Sequence, residues 1–314
     1  MAKTIGAGGY IGVAIEDTAN TYKAPEKFFP IRSESLSWTQ NTNWRRVIRG
    51  TADVIGAVAG NGNAEGDIDA ELLSDVLPYF LLCARGELTK DGTAPDPITY
   101  TFTPLHGALA PNTMSITIVR GEEAFGYVGC VVSNMTFGVD NEMATANYSI
   151  LGAAEENVAV PATPTYGDDT PFGAGNWSIQ IPTATQIFDA DQFSFEVNDN
   201  GEVQYRLKDE LGAQFISFGE RDLQLTLDRD FENRTEYENF KNLTEQSVTV
   251  ALNEAANNQV SFEMVAAIID EYAVNLSGVG DLVRSSTTYI GTAGTAGESY
   301  NIEVVTEEDV TIPV

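Results

Sequence analysis

The sequence predicts an all-β protein built from two tandem modules, each carrying one short helix. Three observations lead there. Apolar and polar residues alternate with period two along most of the chain, the pattern of strands with one face in a core and the other meeting solvent or a partner. Glycine and Asn/Asp clusters such as Gly60-Asn61-Gly62-Asn63 and Asn198-Asp199-Asn200-Gly201 supply the turns. One order of elements also occurs twice, about 155 residues apart.

The first copy opens with the strand Ser33-Glu34-Ser35-Leu36-Ser37-Trp38. A long loop over 39–66 comes next, then the strand Asp67-Ile68-Asp69-Ala70-Glu71-Leu72 and a short helix from Ser74, a plausible N-cap, to Gly86. The second copy opens with Gln192-Phe193-Ser194-Phe195-Glu196-Val197 and continues with Asp222-Leu223-Gln224-Leu225-Thr226-Leu227. It closes with a helix from Asp230 to Leu243, with Tyr237, Phe240 and Leu243 on one stripe.

Between and after these lie further alternating runs: Tyr100 to Phe102, Ser115 to Val119 and Tyr127 to Phe137, then Ser178 to Ile181, Ser247 to Leu252 and Val260 to Ala267. Tyr300 to Val304 and Val310 to Val314 end the chain. Prolines cluster without periodicity around Pro161, Pro164 and Pro171. The expected division is an N-terminal arm over 1–32, a first module over 33–155, a linker over 156–176, and a second module with a C-terminal arm over 177–314.

Composition narrows the function. With 314 residues the chain can hold two cores of ordinary size. It carries 46 acidic against 17 basic side chains, a net charge of −29 at pH 7. A nucleic-acid binder needs a basic footprint to displace counterions, and an anionic membrane surface would repel such a chain. The carboxylates are scattered among aromatics, unlike a disordered acidic tail. Cys83 and Cys130 lie far apart on apolar stretches and read as buried free thiols. The apolar run Val76 to Ala84 is about half of what a bilayer requires. The N-terminal residues lack the apolar core of a signal peptide, so a soluble cytoplasmic product is expected.

Two motifs suggest an enzyme and fail on context. Gly6-Ala7-Gly8-Gly9-Tyr10-Ile11-Gly12 is similar to a dinucleotide fingerprint, and Tyr237 and Lys241 have the spacing of the Tyr/Lys pair of short-chain dehydrogenases. The fingerprint needs a buried strand before it and a crossover helix after it. Only Met1 to Ile5 precede it, and Pro25 cuts the would-be crossover helix short. A flexible glycine-rich arm accounts for it better, and an i,i+4 pair arises readily on an amphipathic helix. His106, the single histidine, sits in a turn with no nucleophile motif around it. No catalytic residue, metal ligand set or cofactor is expected.

The loop over 39–66 holds the stronger signal. Trp44, Arg45, Arg46 and Arg49 are followed by an apolar stretch beginning Val54-Ile55. In so acidic a chain, a cationic and partly apolar finger fits an acidic surface on another copy of the protein. Arginine serves such contacts because it packs as well as pairs. A solvated hairpin is the plainer reading of the same residues.

Several stretches, taken in order, resemble one family. Gly8-Gly9-Tyr10-Ile11-Gly12-Val13-Ala14-Ile15-Glu16, then Ala24-Pro25 and Phe29-Pro30-Ile31, are similar to the opening of the tail tube (major tail) proteins of long, non-contractile-tailed bacteriophages. Ser33 to Leu36, Ile48-Arg49-Gly50 and Gly66 to Leu72 resemble the family's next strand, loop and strand. Phe218-Gly219-Glu220-Arg221-Asp222-Leu223 and the helix around Tyr237 and Phe240 fit a second copy.

The resemblance implies β-sandwich or barrel modules with long loops and terminal arms, whose inner sheets join those of neighbours around a channel. It implies a virion protein assembled in the host cytoplasm, with copies of itself, the tape-measure protein and tail-end proteins as partners and no membrane. The usual ring holds six modules, so two per chain would close a pseudo-sixfold ring with three chains. A lumen rich in carboxylates would let double-stranded DNA slide without adsorbing.

Overall fold

The computed structural model describes residues 8–310 except 95, 111, 141, 162–163, 168–169, 174, 183–184, 208–210, 277, 280 and 294–296. Among the described residues, strands dominate and helix is confined to two short segments.

The first half runs β1 (Tyr10–Ile15), β2 (Lys27–Phe29), β3 (Ile31–Glu34), β4 (Ser37–Arg45), β5 (Gly56–Glu71) and α1 (Leu77–Leu82). It continues with β6 (Gly86–Asp91), β7 (Ile98–Pro104), β8 (Met114–Arg120), β9 (Glu123–Asp140), β10 (Met143–Gly152) and β11 (Ala154–Asn157). The second half runs β12 (Trp177–Gln180), β13 (Gln186–Ile187), β14 (Ala190–Asn198), β15 (Gly201–Gln204), β16 (Phe215–Phe218), β17 (Asp222–Asp230) and α2 (Thr235–Asn242). It ends with β18 (Gln246–Ala255), β19 (Asn258–Asn275), β20 (Arg284–Gly291) and β21 (Tyr300–Thr306).

One run of antiparallel neighbours crosses the molecule in the order β3-β5-β10-β9-β14-β17-β20-β19. Its two halves have the same internal order. In the first, Tyr148 of β10 stands opposite Ile68 of β5 and Met135 of β9. In the second, Tyr289 of β20 stands opposite Leu225 of β17 and Ile269 of β19. Both tyrosines are buried, and a helix comes after β5 and β17 alike.

The 18-residue strands β9 and β19 each serve two neighbourhoods. The early part of β9 pairs with β8 and β11, and its later part with β10 and β14. The early part of β19 pairs with β18 and β21, and its later part with β20. Gly129 marks the change of direction in β9: its φ of +62 is a left-handed conformation, and a Cβ there would meet the Asn20 side chain. The buried Glu16 carboxylate holds this corner, accepting hydrogen bonds from the Gly129 N–H at 2.8 Å, Ser115 Oγ at 2.9 Å and Thr113 Oγ1 at 2.6 Å.

The core lies on one face of the eight-strand run. Phe80 of α1 stacks on Tyr148 with ring centroids 3.9 Å apart, and Phe137 stacks on Phe262 at 4.6 Å. The first helix is shorter than its sequence suggests. It begins at Leu77, its N-cap is Val76 without a side-chain hydrogen bond, and Ser74 is buried before it. The second begins at Thr235, because 222–230 continues as strand, and ends where Leu243 turns left-handed.

Residues 10–15, expected within a flexible arm, form a strand that pairs with β8 along its whole length. Gly12 is a packing glycine: a Cβ there would lie 2.7 Å from Pro25 and 2.9 Å from the Phe28 ring. Within the proline-rich segment over 156–176, Phe172 is fully buried. Of the expected terminal strand over 310–314, only Val310 lies within the described residues, and it is buried.

Residues far apart in sequence are fastened together beside the core. Lys27 Nζ pairs with Asp75 at 2.6 Å and with Glu308 at 2.9 Å. Burial disfavours the ammonium charge, but the hydrogen bonds and charges of Asp75 and Glu308 outweigh it and raise the lysine pKa. Between the halves, the buried Asp199 carboxylate takes Arg221 Nε at 2.6 Å and Arg85 Nε at 3.0 Å. Burial pushes this carboxyl above its ordinary range, while the two guanidiniums oppose the shift.

Candidate functional site

The residues singled out by sequence lie together at the end of one hairpin. β4 and β5 pair from Ser37 opposite Glu65 to Arg45 opposite Gly56, so most of the expected loop over 39–66 is strand. The unpaired tip is 46–55. Trp44 and Arg45 end β4, Arg46, Arg49 and Val54 lie in the tip, and the Ile55 N–H closes it by donating to the Arg45 carbonyl at 3.2 Å. Trp44 is 61% exposed and Val54 43%. Val47 and Ile48 add to this surface, Ile48 being wholly exposed. Among the described residues, no carboxylate forms an ion pair with Arg45, Arg46 or Arg49. The tip thus combines three uncompensated cations with exposed apolar side chains.

A second surface is the face of the eight-strand run turned away from the core. Alternation fixes it. Ile68, Ala70, Phe195, Val197, Leu225 and Leu227 point inward, so Asp67, Asp69, Glu71, Glu196, Asp222 and Asp228 point outward. Between them stand neutral polar residues, among them Asn134, Thr136, Asn147, Ser149, Thr226 and Thr288. Ser149 Oγ donates to Asp67 at 2.7 Å and Asn134 Nδ2 to Glu196 at 3.0 Å, which ties neighbouring strands together across this face. Arg32, paired with Asp140, and Arg284, paired with Asp191, bring positive charge only near the ends of the strands.

The third feature is a pair of open edges. Among the described residues, β3 is bonded to β5 alone, and residues 268–275 of β19 to β20 alone. Unpaired edge N–H and C=O groups are a template for another strand unless something covers them.

Beside α2 a groove of about 610 Å³ is lined by Ile187, Phe188, Asp189, Arg229, Glu232 and Glu236, among others. Arg229 is held by Asp189 at 3.0 Å and by Glu236. Burial pushes the Glu236 carboxyl upward, while the Arg229 charge opposes this. Elsewhere the enzyme-like motifs have ordinary surroundings. Lys241 Nζ lies 5.6 Å from the centre of the Tyr237 ring on the outside of α2, and His106 Nε2 is 3.3 Å from the Gly297 carbonyl oxygen in an exposed loop. Cys83 and Cys130 are free and fully buried, and burial raises both thiols well above their ordinary pKa. Among the described residues, no group of three His, Cys, Asp or Glu side chains could hold a metal ion.

A strand-rich body with a polar acidic face, open edges and a projecting hairpin is suited to assembly. A family model described as phage tail tube protein matches residues 6–304. The chain belongs to the phage tail tube protein family. No curated protein is similar enough to count as a match. Membership gives the chain a structural role in the tail of a virion, within a tube built together with other tail components.

Proposed function

We propose that this chain closes rings with copies of itself, that the rings stack, and that the acidic sheet face lines a channel for double-stranded DNA. The observation that carries this is the eight-strand run, whose two halves repeat one order and meet at the β9–β14 joint. On this reading the halves are two modules of one plan, and three chains supply the six modules of a pseudo-sixfold ring. The hairpin tip over 46–55, with Arg45, Arg46 and Arg49, contacts the adjacent ring. Assembly takes place in the host cytoplasm, with the tape-measure protein inside the tube and terminal proteins at its ends.

Size supports three chains. Twenty-four strands about 4.8 Å apart span a circumference of roughly 115 Å and a diameter of roughly 37 Å, before strand tilt widens it. One chain alone would give eight strands, which in a barrel leave room only for side chains. Charge supports the cargo: outward carboxylates repel phosphates at short range, so DNA passes without being held.

Electron microscopy of the purified protein in negative stain tests the reading. Stacked rings with a central hole and a ring mass of three chains are expected. Monodisperse particles without a hole would overturn it.

A further inference from the structure

We infer that the ring closes by strand addition between the two open edges, with Ser33 of one copy opposite Ala273 of the next. This rests on the ring reading above and adds the register.

The template is inside the molecule. At the β9–β14 joint, Ser194 stands opposite Gly138, Phe195 opposite Phe137 and Val197 opposite Met135. Superposing the halves by their pairings sets Met135 on Ile269, Phe137 on Tyr272 and Gly138 on Ala273. The same operation sets Ser194 on Ser33 and Phe195 on Glu34. The β19 edge is therefore the counterpart of the β9 edge that β14 covers, and β3 is the counterpart of β14. Carrying the joint over places Ser33 opposite Ala273 and Glu34 opposite Tyr272.

Exposure agrees. Phe137 is fully buried beneath its neighbours, whereas its counterpart Tyr272 is half-buried and the adjacent Val274 is 38% exposed. Direction agrees too. Seven antiparallel pairings separate β3 from β19, so the two edges run oppositely. A second copy in the same orientation then offers an antiparallel partner, as the internal joint does. Such a contact is heterologous, joining two different patches, and it closes only by rotation into a ring.

The test uses single variants of the whole chain, Ser33→Cys and Ala273→Cys, both at exposed positions. A short thiol-to-thiol linker spans directly opposed residues, whose Cβ atoms lie about 4.5–5.5 Å apart. The two variants mixed in equal amounts should give a cross-linked dimer, and neither alone should give one. The double variant should give covalent closed trimers. Rings seen by microscopy without cross-linking in the mixture would overturn the register and leave the tube reading standing. Cross-linking of Ser33→Cys alone would mean a two-fold contact and overturn the inference as well. Absence of rings in the unmodified protein would remove both.

Discussion

Phe195 stands directly opposite Phe137 across the joint between the two halves of the molecule, with ring centroids 6.5 Å apart and both side chains fully buried. Phe262 packs against both, so a single aromatic cluster spans the two halves. Phe195→Ala should remove about 3–5 kcal/mol of stability. Urea unfolding of the unassembled chain measures this, and a loss below about 1 kcal/mol would mean that the joint contributes little packing.

The hairpin gives a prediction about stacking. Replacing Arg45, Arg46 and Arg49 together by glutamate should leave the circular dichroism spectrum unchanged, because the tip is exposed and its cations have no ion-pair partner among the described residues. Stack length should fall, and single rings should accumulate. Tubes of parental length from this variant would make the tip a solvated turn.

The acidic face predicts weak interaction with DNA. Asp67→Lys, Glu196→Lys and Asp228→Lys in one chain reverse charge at three outward positions and should turn a non-adhesive wall into a binding one. Retention of duplex DNA by assembled tubes, absent in the parent, should appear and should weaken as salt rises. If the variant tubes retain no more DNA than the parent, these residues face elsewhere.

The carboxy-terminal residues should detach at high pH. Tyr100 Oη donates to the Glu308 carbonyl at 3.0 Å and accepts the Val310 N–H at 2.8 Å. Burial pushes the Tyr100 phenol up to about 12. Lys27, held by Asp75 and Glu308, is also raised. A group whose pKa is raised on folding contributes stability below its unfolded value and loses it as pH climbs through its folded value. The contribution of Tyr100 should therefore be intact below pH about 10 and gone above about 12. Proteolysis near residue 308 should accelerate over that interval, and Lys27→Met should make the segment labile at neutral pH.

Much of the fold was legible because alternation is a local signal. The strands around Phe195, Leu225, Val250 and Phe262 carry large apolar residues at every second position, and each forms where expected. Other strands hide their pattern. In β10 the inward positions include Ala144 and Ala146, and in β20 they include Ser285 and Thr287, so the buried face is small or hydroxylated. The strand β1 is masked by glycines that mimic a nucleotide fingerprint, although Gly12 is there to admit Pro25 and Phe28. The order of elements read as recurring was aligned two residues away from the register that the strand pairings give. Sequence sets Leu223 against Ile68, whereas the pairings set Leu225 there. Period-two alternation cannot tell these apart, because a slip of two keeps every side chain on its own face. The exposed tip was legible through its arginines. The outward acidic face was not, since alternation alone does not say which side of a strand the core occupies.

The opposite running of β3 and β19 reaches beyond the ring. Edges of this kind join only when every copy stands the same way up, so a closed ring has an upper rim and a lower rim that differ in chemistry. A stack of such rings is a polar filament with two unlike mouths. Growth can then start at one end and stop at the other, and a component shaped to plug the first opening has no foothold on the second.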